Sequence, residues 1–238
     1  MDACNAKMIR WALGLSLLLL GGCGNAPAAA DIGAAGAGGG GGDSEVLYPE
    51  TLPYARSVES FTRGEGAGFG ESSLPDVVLG PPRGMGERSG SLHVLSLGVG
   101  GEIVLGFGER TIVDEPGPDF VVFENAFWPG GVQSMVYAEL GEVSVSEDGE
   151  TWLTFPCDSE GDGEGGFVGC AGASPTLEFD PLVLVPLDAA ASGGDAFDLA
   201  DVELASARFV KIIDLGTLEP AGTSSGFDLD AVGLAHQQ

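Results

Sequence analysis

From residue 77 onward the chain is a series of short apolar runs separated by Gly, Pro, Asp and Asn. Glu102 to Phe107 alternates, which places Ile103, Leu105 and Phe107 on one face of a strand. Phe120 to Phe123 (FVVF) is continuously apolar and predicts a central strand. Glu142 to Ser146 sends Val143 and Val145 inward. Asp148-Gly149 then marks a hairpin, with Trp152 to Phe155 as the returning strand and Trp152 in the core. Leu182 to Val185, Phe209 to Ile213 and Phe227 to Leu234 complete the predicted strands, and His93 falls in an apparent strand as well. No stretch after residue 46 sustains a helical period. Strands at this spacing predict an all-β fold, an antiparallel β-sandwich or jelly roll. No internal repeat argues for a propeller or solenoid.

The one longer apolar run, Trp11 to Leu20, has signal-peptide length and is too short for a permanent membrane span. Lys7 and Arg10 precede it, and Leu20-Gly21-Gly22-Cys23 follows. This resembles the lipobox of bacterial lipoproteins. The resemblance implies a leader at residues 1–22, cleavage before Cys23 and lipidation of that cysteine, so the membrane is a partner through the lipid. Gly24, in place of an Asp that favours inner-membrane retention, points to the outer membrane, with the domain periplasmic or surface-exposed. Residues 23–45 are Gly- and Ala-rich and read as a flexible tether. A single domain over 46–238, about 190 residues, is of ordinary size for a β-sandwich.

Cysteine usage follows from that leader. Cys4 leaves with it and Cys23 takes lipid, so Cys157 and Cys170 remain to form a disulfide in an oxidising compartment. Two cysteines and the distant His93 and His236 make no zinc cluster. Removing Asp2, Lys7 and Arg10 takes 36 acids and 9 bases to 35 and 7, a net of −28. Such a surface disfavours nucleic acid and anionic lipid heads as partners. The acid serves solubility, or some of it gathers in loops to bind calcium.

Seven segments in order are similar to a family of bacterial cell-surface proteins with a discoidin-like, galactose-binding-like jelly roll. They are Val78 to Gly84, Ser96 to Ile103, Gly117 to Phe127, Val143 to Gly149, Gly194 to Leu199, Ala207 to Ile212 and Gly226 to Val232. The resemblance spans nearly the whole predicted domain and implies the fold. It says little of function, since that fold hosts many ligands. The loop between Cys157 and Cys170 looks like a local elaboration.

Candidate chemistry is concentrated in carboxylates. In Gly226 to Val232, strand alternation sends Phe227, Leu229 and Ala231 to one face and Asp228, Asp230 and Val232 to the other. Two acids on one face repel unless they are solvated, hydrogen-bonded or joined by a cation. Asp195 and Asp198 flank Phe197, and Glu124-Asn125 ends the FVVF run. A calcium site drawn from Glu124, Asn125, Asp195, Asp198, Asp228 and Asp230 is one reading; acids that cap turn backbone N–H groups are the other. Asp158 to Glu164 resembles an EF-hand loop, but Gly169 stands where a bidentate Glu is needed, so a solvated loop stapled by the disulfide is expected. Ser146 to Trp152 resembles a sialidase Asp-box turn, one residue short and unrepeated. Trp128, in Asn125 to Gly131, either stacks on a sugar ring or plugs the end of the sandwich.

No Ser-His-Asp arrangement can be placed with only His93 and His236, and no carboxylate pair stands out from the acidic background. The expected function is therefore a lipid-anchored, calcium-stabilised, non-catalytic binding or adhesion module, with a glycan or another surface protein as ligand. A polysaccharide hydrolase or lyase using two carboxylates and a purely structural envelope protein are the alternatives.

Overall fold

The computed structural model describes residues 51–84, 88–161, 166–218 and 222–238, all within the unit Val46–Gln238. The leader, Cys23 and the tether over 23–45 lie outside the described residues, as do Asp162 and Glu164 of the acidic loop.

Eleven strands are described: β1 (Ser57–Thr62), β2 (Leu95–Ser96), β3 (Glu102–Gly106), β4 (Ile112–Val113), β5 (Phe120–Glu124), β6 (Gly141–Ser146), β7 (Leu153–Thr154), β8 (Asp195–Phe197), β9 (Ser206–Ala207), β10 (Phe209–Asp214) and β11 (Asp228–Leu234). One short helix, α1 (Ala189–Ser192), is capped by the Asp188 side chain. The strands form a five-stranded sheet ordered β1-β3-β10-β6-β7, a four-stranded sheet ordered β2-β11-β5-β8 and a small β4-β9 pair. Every one of these pairings is antiparallel. The chain is an antiparallel β-sandwich.

The main core lies between the two larger sheets. Ile103, Leu105, Val143, Val145, Val210 and Ile212 meet Phe120, Val122, Leu229, Val232 and Leu234. The ring of Phe155 packs edge-on against Phe120 and Phe197, at 5.8 and 5.0 Å between centroids. A second, smaller core covers the outer face of the four-stranded sheet, where Val121, Phe123 and Ala231 meet Leu52, Tyr54 and Leu187. This explains the unbroken FVVF run: β5 is covered on both faces, so neither parity is polar. β10 in the other sheet alternates between buried and half-buried positions, as a strand with one wet face must.

Several expectations need correction. A bulge in β11 between Leu229 and Ala231 breaks the predicted alternation. Val232 therefore joins the main core while Ala231 faces the outer one, the reverse of the simple parity. Leu182–Val185 is a turn with exposed Leu182, Val183 and Val185, not a strand. His93 sits in a bend. The Asp148 hairpin forms, with Asp148 accepting from the N–H groups of Glu150 and Thr151 at 2.8 and 2.7 Å. Trp152 is only half-buried, however, and its ring faces Lys211 Nζ at 4.4 Å; Phe155 enters the core in its place. Cys157 and Cys170 are disulfide-bonded, as expected.

Candidate functional site

Antiparallel pairing brings the C-terminal ends of β5 and β10 and the N-terminal ends of β6 and β11 to one end of the sandwich. Glu124 is the last residue of β5 and lies opposite Leu229, next to Asp228 at the start of β11. Asp228 is paired with Ser96 of β2, and the Ser96 hydroxyl donates to Asp228 Oδ1. Glu139 enters just ahead of β6. All three acids are buried: Glu124 is 3% exposed, Glu139 7% and Asp228 8%.

Their hydrogen bonding is incomplete. Glu124 Oε1 accepts from the Asp228 N–H at 3.3 Å, whereas Glu124 Oε2 is buried with no partner. Asn125 locks the neighbouring loop: its Oδ1 accepts from the Ser91 N–H, and its Nδ2 donates to Ser91 O at 3.2 Å and to Asp228 Oδ2 at 3.4 Å. Neither the Arg63–Glu71 nor the Asp119–His236 ion pair involves the three acids.

The electrostatic consequence is uniform in sign. Burial, then the charges of Asp228 and Glu139, raise Glu124 well above the ordinary carboxylate range. Burial, followed by Asp228 and Asp214, pushes Glu139 up to about 8 against a backbone hydrogen bond from Gly226. Asp228 is raised by burial too, opposed by its Ser96 and Asn125 hydrogen bonds. Even Tyr137, 44% exposed above the site, is raised by burial and then by Glu139, Asp228 and Glu124. The hydroxyl thus lies in the field of all three carboxylates.

Asp214, at the end of β10, behaves differently. Its oxygens accept from the N–H groups of Gly100 (2.9 Å), Gly216 (2.8 Å) and Phe227 (2.7 Å), and so join three loops beneath the site. The close approach of these loops requires Gly226. Its φ is 73°, and a Cβ there would stand 2.6 Å from the Gly98 carbonyl carbon.

Above the acids, residues 125–140 fold back on themselves. Phe127 and Tyr137 exchange backbone hydrogen bonds of 3.3 and 2.9 Å, and their rings stack at 5.1 Å. The excursion between them exposes Val132, Met135 and Val136, and Trp128 is half-buried at its base.

Of the six predicted ligands, then, Glu124, Asn125 and Asp228 come together and the other three do not. Asp195 Oδ2 accepts from the N–H groups of Gly172, Ala173 and Ser174 at 2.7, 3.0 and 3.4 Å. Asp230 accepts from the N–H groups of Arg83 and Gly84. Asp198 caps the turn at Leu199–Val202 by accepting from Ala200 N–H at 2.9 Å. Asp198 also meets Asp114 and Asp119 in a separate group whose carboxylate oxygens lie within 4.8 Å of one another. Both oxygens of Asp119 are already engaged there, by Glu115 N–H, His236 Nδ1 and Leu199 N–H. The oxygens of Glu124, Glu139 and Asp228 do not close to that distance. Glu139, Ser96 and Tyr137 were not foreseen, because only the pairing of distant strands brings them to Glu124.

No family model matches the chain, and neither does any curated protein. Among solved structures the chain is similar to the C-terminal domain of a chitobiase from Bacteroides fragilis. The identity is 13% and the TM-score 0.36, over 75% of this chain and 91% of that chain. A likeness that loose carries neither ligand nor activity across; the sandwich assignment rests on this chain's own strand pairing.

Proposed function

We propose that this protein is a non-catalytic binding module held on the outer membrane by lipid on Cys23, of the discoidin-like class, with a glycan as its ligand. The observation that carries the proposal is the Phe127–Tyr137 excursion. It sets a stacked aromatic pair, half-buried Trp128 and three exposed apolar side chains on one end of a rigid sandwich. Aromatic rings with a polar edge suit a ligand that is apolar on one face and hydroxylated on its rim, as a sugar ring is. A formal charge of −27 over the whole chain favours a neutral ligand over an anionic one. Among the described residues no helix is long and apolar enough to cross a membrane; attachment through lipid is proposed on the resemblance of the Lys7-to-Cys23 segment to a lipobox leader.

Retention of the full-length chain on immobilised neutral polysaccharides tests the ligand assignment. Tyr137→Ala and Trp128→Ala should weaken retention at least tenfold without lowering the melting temperature. Absence of retention by the unsubstituted chain overturns the glycan assignment. Release of reducing ends from a retained polysaccharide, abolished by Glu139→Gln, would replace the binding module with the hydrolase. Detergent phase partitioning tests the anchor: the full chain should enter the detergent phase and Cys23→Ala the aqueous one.

A further inference from the structure

We propose that the turn at residues 182–185 is a lipid-facing surface: its exposed side chains enter the bilayer that holds the Cys23 anchor, so that the domain stands with its aromatic excursion pointing away from the membrane. This rests on the lipid anchor proposed above. Leu182, Val183 and Val185 are all exposed, Val183 by 76%. The turn is held in that state from both sides. Asp180 Oδ1 accepts from the Leu182 N–H at 2.9 Å, and Asp180 O accepts from the N–H groups of Val183 and Leu184 at 3.0 and 2.9 Å. The Phe179 ring stacks on Phe123 at 6.1 Å, Leu184 packs against the outer core and Leu187 is buried in it. With those three side chains fixed inward, the other three stay in water, at the cost that exposed aliphatic surface carries.

Place and chemistry choose the occupant. Val185 and Pro186 line a surface depression together with Pro53, Leu234 and Ala235. Leu234 pairs with Phe120, the first residue of β5, whereas the excursion follows Glu124, the last. The turn and the excursion therefore stand at opposite ends of the sandwich. Pro53 is two residues beyond Thr51, where the described chain begins, so the chain enters the domain beside the turn. Residues 23–50 precede that point, and a Gly-rich chain of about 28 residues reaches on the order of 30 Å. An anchor at Cys23 keeps this end of the domain close to the bilayer. The displayed side chains are aliphatic, with no ring, guanidinium or ammonium among them. Protein interfaces concentrate their energy in Trp, Tyr and Arg, whereas hydrocarbon asks only for apolar area. Asp180 and Asp188 flank the turn and are exposed. With a formal charge of −27 over the chain, they select a zwitterionic surface over an anionic one.

The test places a fluorophore at each end of the sandwich. The chain as made in the cell, carrying Val183→Trp or Leu92→Trp, is isolated in detergent and returned to phosphatidylcholine vesicles with or without bromine on the acyl chains. Leu92 is 85% exposed and follows Ser91, which is bonded to Asn125 at the excursion end. Emission of the unsubstituted chain in the same vesicles is subtracted. Brominated lipid should quench Val183→Trp at least about twofold and leave Leu92→Trp unquenched. Leu182→Asp/Val183→Trp should lose the quenching, because the turn would carry a carboxylate into hydrocarbon. Replacing half the lipid with phosphatidylglycerol should weaken it. If the chain floats with the vesicles but Val183→Trp is quenched no more than Leu92→Trp, the lipid face is overturned and the turn is left to a protein partner. Quenching of Leu92→Trp alone also overturns it, since the domain then meets the bilayer by its excursion. A chain that does not float with the vesicles overturns the anchor, and the lipid face with it.

Discussion

Asp195 offers a sharp test of how this fold uses its buried acids. Its carboxylate is 8% exposed and receives three backbone N–H groups from residues 172–174 through one oxygen. Burial nevertheless outweighs those hydrogen bonds and raises its pKa from 3.8 to about 6. For an acid raised in the folded state, the sign is fixed. Below about pH 4 both folded and unfolded chains carry the proton. Between about 4 and 6 the unfolded chain has lost it while the folded chain keeps it, so stability falls as pH rises; above 6 the loss is complete. A shift of 2.2 units, from 3.8 to 6, corresponds to about 3 kcal/mol. Asp195→Asn keeps one acceptor oxygen for the 172–174 backbone and removes the ionisation. Urea unfolding of both proteins in chelator, at intervals from pH 3.5 to 8, isolates the effect. The difference in stability, variant minus parent, should move in the variant's favour by about 3 kcal/mol across pH 4–6 and stay level above. All other titrating groups cancel in that difference, as does any fixed change in packing. A difference that does not vary with pH would refute the reasoning, because the carboxylate would then ionise equally well in both states.

Two further outcomes bear on the scaffold that carries the site. Gly226→Ala forces a side chain into a left-handed backbone conformation and against the Gly98 backbone, so unfolding should show a loss of about 2–5 kcal/mol. Cys157→Ser/Cys170→Ser opens a cross-link with a sequence separation of 13; urea unfolding should register a loss of about 3 kcal/mol.

The strands that alternate were legible in the sequence because their core-facing apolar side chains recur at every second position. Val143, Val145, Val210 and Ile212 all sit where parity places them. The FVVF run was legible for the opposite reason, as a strand with no wet face. β1 escaped because it is an edge strand whose six residues are all half-buried or exposed, so no burial pattern is written into it. The β11 bulge escaped because one inserted residue leaves no mark in the sequence of a strand that is covered on both faces. At the site, Glu124, Asn125 and Asp228 stood out as polar residues at the ends of apolar runs. Glu139 had no such signal. Its partners are fifteen residues before it in β5 and far beyond it in β11, and only sheet order places them together. Nor does spacing tell a ligand from a cap: Asp195 and Asp230 look no different from Asp228 until their oxygens are traced to backbone donors.

That tracing changes what the acidity of the chain is for. A sandwich joined by long glycine-rich loops leaves many backbone N–H groups outside any ladder, and buried ones must find acceptors. Asp119 gathers 115 and 199, Asp195 gathers 172–174, Asp214 gathers 100, 216 and 227, and Asp230 gathers 83 and 84. Asp119, Asp214 and Asp230 use both carboxylate oxygens for this, where an amide would offer one, so part of the negative charge is structural and not a solubility coat. The rule also identifies its exception. Glu124 is buried like them, yet its Oε2 has no hydrogen-bond partner and the charges that raise its pKa are negative. Asp119 and Asp214, by contrast, turn both oxygens toward N–H groups. Glu124 leaves Oε2 without a donor, which is costly while the group is ionised, and burial with negative neighbours raises its pKa accordingly, at the end of the sandwich where the exposed aromatic excursion stands.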